Sequence, residues 1–166
     1  MQIREASDVD FDAIWPIFHE IASAGETYAY DRDITKSEAF KLWIKYPQKT
    51  FVFDDDGEIL GTYYIVKNHS GPGDHVCNCG YMVSSKARGR GLAASMCKHS
   101  QEIAKELGYK AMQFNFVASS NEGAVRLWEK LGFEAVGRLP DAFCHPDQGF
   151  EAKLLDRKST RLNSSH

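Results

Sequence analysis

Apolar positions along the chain recur with two periods, one near 3.6 residues and one of 2, and their succession sets out an α/β domain. Met1 to Arg4 reads as a short strand. Ser7, Asp8 and Asp10 then open a helix with apolar positions at Phe11, Ile14, Ile17, Phe18 and Ile21. Pro16 lies inside it and is expected to kink it or shorten its first half. The run GETYAYD (25–31) is an aromatic loop, and Thr35 to Lys45 a second helix with Ala39, Leu42 and Trp43 inward. Period 2 takes over at Thr50–Phe53 and Glu58–Lys67, which the turn DDDG (54–57) joins as a hairpin, because Asp-Gly supplies the positive-φ residues of a tight turn.

After a Gly-Pro-Gly loop within Asn68–Asp74, His75–Val83 reads as a strand. Leu92–Leu107 is helical, with Leu92, Met96, Ile103 and Leu107 on its apolar side and Gly108 as its stop. Lys110–Val117 is a strand and Ser119–Leu131 a helix stopped by Gly132. Phe133–Leu139 and Phe150–Leu155 close the pattern as strands joined by a loop carrying Pro140, His145 and Pro146. The order β-α-α-β-β-β-α-β-α-β-β predicts one α/β domain on a mixed sheet, with parallel crossovers in its second half. The domain is expected over residues 1–155. Residues 156–166 (DRKSTRLNSSH) are polar and without periodicity, and resemble a non-native, sequencing-adapter-derived extension or a disordered tail outside the domain.

Composition narrows the partners. The 166 residues are 43% apolar and 26% charged, enough for one buried core without staples. A net charge of −3 argues against a nucleic-acid binder. No apolar run approaches the ~20 residues of a membrane helix, and a cytoplasmic location with no membrane partner is expected. Of the four cysteines, only Cys77 and Cys79 lie close, and no second Cys or His pair completes a zinc spacing. Small buried thiols and no metal are expected.

The chemistry concentrates at 87–95, ARGRGLAAS. Gly89-Arg90-Gly91-Leu92-Ala93-Ala94 fits the G-x-G-x-x-G/A spacing of a dinucleotide loop, and Arg88, Gly91 and Ala93 fit Arg-x-x-Gly-x-Ala. The dinucleotide reading needs a ribose-binding carboxylate about 20 residues on, at the end of the next strand. That strand ends Phe114-Asn115-Phe116-Val117 and has none. A glycine loop opening a helix, with Arg88 and Arg90 beside it, instead suits a pyrophosphate, against the plainer reading of a solvated basic turn.

Together with GYMV at 80–83 and N-x-x-A-V-R-L-W-E-K-L-G-F at 121–133, this loop resembles the GNAT N-acetyltransferases over about residues 1–155. The resemblance implies a mixed, mostly antiparallel sheet whose parallel central strands splay apart, flanked by helices, with acetyl-CoA as co-substrate entering the gap. It implies cofactor contacts at Met82, Val83, Arg88, Gly89, Arg90, Gly91, Leu92, Ala93, Asn121 and Trp128, with main-chain N–H groups near Tyr81–Val83 facing the acetyl oxygen. Asn78, Asn115 and Asn121 are further similar to the asparagines of yeast-type azetidine-2-carboxylate (proline-analogue) acetyltransferases. That likeness implies catalytic and acceptor-binding roles for Asn78 and Asn115, while the wider GNAT resemblance puts the GETYAYD loop, with Glu26 and Tyr28, at the acceptor.

Asparagine is poor in a strand, so Asn78 and Asn115 either bind an acceptor's carboxylate or pair with main chain at the splay. Asn121 can cap the following helix as well as touch the cofactor, and Ser119 or Ser120 could cap it instead. Many family members carry a tyrosine acid at the position of Trp128. An indole N–H is a donor only and cannot replace it, so hydrogen bonding or water must assist the leaving thiolate and water is expected as the base. His75, as a base or a capping or surface residue, and His145 are weaker candidates. The reading is direct transfer of an acetyl group to the nitrogen of a small carboxylate-bearing amine, a detoxifying reaction, with a homodimer as a further expectation. Its rivals are a phosphinothricin- or aminoglycoside-type resistance acetyltransferase, a non-catalytic CoA-binding sensor and, more distantly, a nucleotide-dependent oxidoreductase.

Overall fold

A computed structural model describes residues 1–159. Its elements are β1 (Gln2–Glu5), α1 (Phe11–Ala24), α2 (Lys36–Phe40), β2 (Lys49–Asp55), β3 (Glu58–Lys67), β4 (Val76–Val83), α3 (Leu92–Glu106), β5 (Ala111–Ala118), α4 (Glu122–Lys130), β6 (Glu134–His145) and β7 (Gly149–Ser159). This is the predicted order. Seven strands form one sheet in the order β1-β2-β3-β4-β5-β7-β6. Neighbours run antiparallel except β4 and β5, which are parallel.

Each face of the sheet carries its own core. On one, α1 and α2 bring Ile14, Phe18, Ala39 and the following Trp43 against Val52 of β2 and Met82 of β4. On the other, Leu92, Met96 and Cys97 of α3 and Trp128 of α4 meet Tyr63, Cys77 and Phe114 from the strands. The hairpin β2–β3 turns at Asp56 and Gly57 with φ of 51° and 95°, the twist that the Asp-Gly pair predicts. Cys77, Cys79 and Cys97 are buried free thiols, whereas Cys144 is exposed.

Four local expectations are corrected. α1 runs unbroken through Pro16, whose missing N–H forfeits a single bond near the first turn. After α2 the chain widens into a π turn over Lys41–Lys45. There Trp43 is fully buried but Leu42 is 40% exposed, because a 3.6-residue period no longer holds. β6 does not stop at Leu139: it continues through Pro140 to His145. As the sheet's last strand it has no outer ladder, so a missing N–H is tolerated, and its register shifts between Leu139 and Phe143 beside Asp141 at φ 51°. β7 likewise continues through Asp156–Ser159, into the polar run expected to lie outside the domain. Strand pairing uses main chain, which a polar run supplies as well as an apolar one, and Asp156 and Lys158 pair there with Phe114 and Met112. The remainder of that run, 160–166, lies outside the described residues.

A buried hydroxyl ties α2's end to the sheet. Thr62 accepts from Trp43 Nε1 at 3.0 Å and donates to the Phe51 carbonyl at 2.8 Å. Thr62→Val keeps the shape and strands both partners, costing about 1–3 kcal/mol. Thermal unfolding should show Tm falling by about 2–4 °C per kcal/mol lost.

Arg4 joins β1 to the approach of α1 and to β2, donating to Asp10 at 2.9 Å and to Asp54 at 3.0 Å. The hydrogen bond from Arg4, then those from Ser7, hold the Asp10 carboxyl down at about 2, against 3.8 ordinarily, with burial opposing. A depressed carboxyl contributes stability above its unfolded pKa that disappears as pH falls through the folded one. Between pH 3.8 and about 2, Asp10→Asn should therefore lose less of its Tm than the wild type does.

Candidate active site

The site begins where two strands part. β4 and β5 pair only at Val76–Ala111 and Cys77–Met112, and their remaining lengths diverge. Beyond that point the main chain of Tyr81 faces the gap. Its N–H donates to the Tyr28 hydroxyl at 2.8 Å, and that hydroxyl donates to the Tyr81 carbonyl at 2.7 Å. By the alternation of an antiparallel ladder, Cys79 and Val83 turn their main chain the same way. On the other wall, the β5–β7 register shifts between Phe114 and Val117. Such a bulge re-aims side chains. Asn115, Phe116 and Val117 consequently all line the gap, which strict alternation forbids.

Two cavities meet there. The larger, about 780 Å³, runs between the end of α1, the loop before α3 and the start of α4, past Glu20, Arg88, Ala93, Asn121 and Leu127. The smaller, about 220 Å³, lies on the other side of the splay, among Tyr30, Tyr64, Asn78, Phe114 and Asn115. Tyr28, Tyr81, Phe116, Val117 and Trp128 line both, so the cavities share a wall at the strand gap.

Before α3, Gly89 and Gly91 adopt φ of 79° and 77°, and a Cβ on either meets nothing within 4 Å. The loop is therefore glycine for its left-handed backbone, and the space beside it is open. Gly91 caps α3 and leaves the first-turn N–H groups facing outward, a setting for a phosphate-bearing ligand. Arg88 lines the large cavity and is held loosely by Glu20 at 3.6 Å, both side chains half exposed. Arg90 does not line it: it turns to Asp55 of β2 at 3.8 Å. Leu92 is core, 4% exposed, and so is the Met82 side chain, leaving main chain as what either can offer a ligand. Asn121 lines the cavity and also caps α4, accepting from the Ala124 N–H at 3.3 Å. Ser120 instead bonds Glu151 at 2.6 Å.

Among the described residues, the small cavity's lining is aromatic and uncharged, with the amides of Asn78 and Asn115 as its polar side chains besides the tyrosine hydroxyls. Asn115 is held by side chains: it donates to Asn68 at 2.5 Å and accepts from Gln113 at 3.1 Å. Asn78 has no side-chain hydrogen bond among the described residues. Tyr28 stacks on Tyr30, with ring centroids 5.4 Å apart and planes 10° apart. Burial pushes the hydroxyls of Tyr28, Tyr30 and Tyr64 well above the ordinary tyrosine range. Trp128 is 8% exposed and packs on Phe114 at 4.9 Å and Tyr81 at 5.3 Å.

The predicted residues thus divide. Asn78, Asn115 and Tyr28 come together at the small cavity, and Val83, Arg88, Ala93, Asn121, Trp128 and Glu26 line the large one. Glu26 does not line the small cavity, so it is not beside Asn78 and Asn115. Neither histidine does either. His75 lies by a separate cavity with Tyr46 and Tyr109. His145 uses Nδ1 to accept the N–H groups of Asp147 and Gln148, at 3.1 and 3.3 Å, and thereby shapes the β6–β7 turn. Sequence reasoning missed Tyr64, Asn68 and the role of Gly80. A Cβ on Gly80 falls 2.5 Å from Tyr64 Cε2, so the glycine in mid-strand is the signal that a ring lies across it.

Gly80→Ala should displace the Tyr64 ring from the small cavity. The expected outcome is altered tyrosine ring signals in NMR spectra and lower stability, with the large cavity unaffected. Tyr64→Phe in the same background should leave the steric effect in place.

The sequence pattern of the Acetyltransferase (GNAT) family matches residues 11–133. A GCN5-related N-acetyltransferase from Kribbella flavida of known structure is 42% identical, with a TM-score of 0.90 over 95% of this chain and 96% of that one. The N-acetyltransferase aca1 of Schizosaccharomyces pombe is 30% identical over 134 residues, 71% of this chain, which spans 64% of that relative's length. A Sinorhizobium meliloti GNAT superfamily phosphinothricin acetyltransferase, solved with AcCoA, shares the fold at a TM-score of 0.83 and 18% identity, over 95% of this chain and 87% of its own. On its sequence pattern and its seven-stranded, centrally splayed sheet, the chain belongs to the acetyltransferase (GNAT) family.

Proposed function

We propose that the protein transfers the acetyl group of acetyl-CoA directly to the nitrogen of a small carboxylate-bearing amine or imine. One observation carries this reading: a long cavity beside the glycine loop and a small one beside Asn78 and Asn115 share a wall at the strand gap. The pyrophosphate goes to the loop, to Arg88 and to the first-turn N–H groups of α3. The pantetheine arm follows the freed edge of β4, and the thioester lies at Tyr28, Tyr81 and Trp128. The acceptor enters the small cavity, where its nitrogen meets the thioester without a covalent enzyme intermediate.

The acceptor follows from the lining. At about 220 Å³ the cavity admits a small molecule. No carboxylate lines it among the described residues, which disfavours a polycationic aminoglycoside. No arginine or lysine does either, which disfavours a dianionic phosphinate acid. A single carboxylate is matched by amide donors, and Asn78 has its amide free. A partner cavity joined to the first also favours transfer over a role as a CoA sensor. The likeness of Asn78, Asn115 and Asn121 to azetidine-2-carboxylate acetyltransferases points to secondary amines such as imino acids as the first acceptors to try.

The test incubates the full chain with acetyl-CoA and a panel of amino acids, imino acids, phosphinothricin and aminoglycosides, following free thiol. Release is expected with small amino or imino acids. Binding of CoA with no release above background for any acceptor would sink the reading. Two variants separate the cavities. Arg88→Ala should raise the KM for acetyl-CoA about tenfold, the low end for a hydrogen bond to a charged group, with little change for the acceptor. Asn78→Ala or Asn115→Ala should impair the acceptor side, in KM and kcat respectively, and leave the acetyl-CoA KM near its original value.

A further inference from the structure

We propose that the Tyr28 hydroxyl is the proton-exchanging group of the transfer, giving its proton to the leaving thiolate and taking up the one shed by the acceptor nitrogen. The inference rests on the acetyl-transfer reading above. When the neutral nitrogen attacks the thioester carbon, an N–C bond forms and the nitrogen must lose a proton. When the C–S bond breaks, its electron pair leaves on sulfur, which must gain one. The two demands cancel if one amphiprotic group lies between the atoms. The tyrosine that many family members use is replaced here by Trp128, which has an N–H to donate but nothing that accepts a proton.

The lining of the two cavities narrows the choice. No histidine lines either, and no carboxylate lines the small one among the described residues. The small cavity's ionisable groups are Tyr28, Tyr30, Tyr64, Cys79 and Tyr81. Tyr30 and Tyr64 line that cavity but not the large one and bond to each other. Cys79 also borders the small cavity alone, and burial drives its thiol pKa upward. Tyr81 borders both, but its hydroxyl is engaged by Ser100 at 2.6 Å, under α3. Tyr28 remains.

Its hydroxyl sits on the main chain of Tyr81 in the strand gap, where the two cavities share a wall. It already does both jobs there, donating to the Tyr81 carbonyl at 2.7 Å and accepting from the Tyr81 N–H at 2.8 Å. Rotation about the Cζ–Oη bond moves the proton from that carbonyl toward an incoming sulfur with no movement of the backbone. The Tyr81 N–H stays on the oxygen and stabilises the transient phenolate, favouring the charged form as a hydrogen bond to it does. Burial keeps the hydroxyl protonated at rest. Tyr30, Tyr64 and Cys79 surround it, and Glu20, Glu26 and Arg88 lie along the large cavity.

The experiment compares the full-length wild type with Tyr28→Phe. Two readings are taken: thiol release with the best acceptor, and the ultraviolet thiolate absorbance of bound CoA as a function of pH. Turnover should fall about 100-fold, the lower range for loss of a positioned proton donor. The bound thiol, deprived of its donor, should titrate about one unit higher. Turnover within twofold of wild type overturns the proposal. So does a fall in turnover with the bound-thiol titration unmoved, which assigns Tyr28 to packing. If Tyr28→Phe does not fold, 3-fluorotyrosine at position 28 keeps the shape and strengthens the donor. It should lower the bound-thiol pKa and move the alkaline limb of the kcat profile to lower pH, and an unmoved titration overturns the assignment. A wild type that binds CoA but releases no thiol above background with any acceptor removes the transfer reading itself, a result distinct from any of these.

Discussion

The parting of β4 from β5 is the constraint on which the rest depends. Two adjacent strands that pair at two positions and then separate leave main-chain donors and acceptors facing a gap. Each such group buried without a partner costs about 1–3 kcal/mol, so a splay survives only if something else meets it. At Tyr81 that partner is the hydroxyl of Tyr28, reaching in from the loop after α1. On the β5 side, the bulge around Asn115 absorbs the divergence while β7 keeps the outer edge of β5 paired. The opening is therefore built and braced, and both cavities exist because of it.

The bracing explains what the two helical layers are for. The core under α1 and α2 holds Tyr28 and Tyr64 against the sheet through Tyr30, Phe18 and Trp43. The core under α3 and α4 holds Tyr81 and Trp128 in a cluster with Phe114 and Phe133. Among the described residues, neither layer lines the small cavity with a charged group. Charge is confined to the outer rim, where Arg88, Glu20 and Glu26 border the large cavity. A charged rim and an uncharged inner end thus follow from one arrangement of layers.

Much of this was legible in the sequence wherever the signal is local. The order of elements came from periodicity, the β2–β3 turn from Asp-Gly, and the glycine loop before α3 from its motif spacing and the family likeness. What failed was non-local. Pro140 reads as a strand breaker unless the strand is known to be the outermost, and Asp156–Ser159 read as tail because polar residues hide a pairing made by main chain. Arg90 has the same motif credentials as Arg88, yet Asp55, far away in sequence, turns it aside. The site divides in the same way. Asn78 and Asn115 were singled out mostly by the family likeness, with their being out of place in a strand as the local signal. Tyr64 was not, since only the strand register brings it to the cavity, nor was Asn68, which meets Asn115 from 47 residues away, and His75 and His145 carried the right chemistry in the wrong places.

The aromatic lining of the small cavity bears on the chemistry as well as on size. An acceptor amine in water is mostly an ammonium, which cannot attack. An apolar cavity disfavours the charged form of a buried group, and no carboxylate lines the small cavity among the described residues to restore it. The reaction then converts a neutral nitrogen and a neutral thioester into an adduct that is positive at nitrogen and negative at oxygen. Main-chain N–H groups on the freed edge of β4 suit the oxygen, and the aromatic lining of Tyr28, Tyr30 and Tyr64 suits the nitrogen, since aromatic rings attract a cation. Under the proposed reaction these interactions grow as charge develops and are weak beforehand, which is the condition for lowering a barrier. An acidic side chain at the same place would stabilise the ammonium in the ground state and work against transfer. Under the proposed reaction, a cavity with amides for a carboxylate and rings for the nitrogen avoids that conflict, and its lack of charge serves the chemistry.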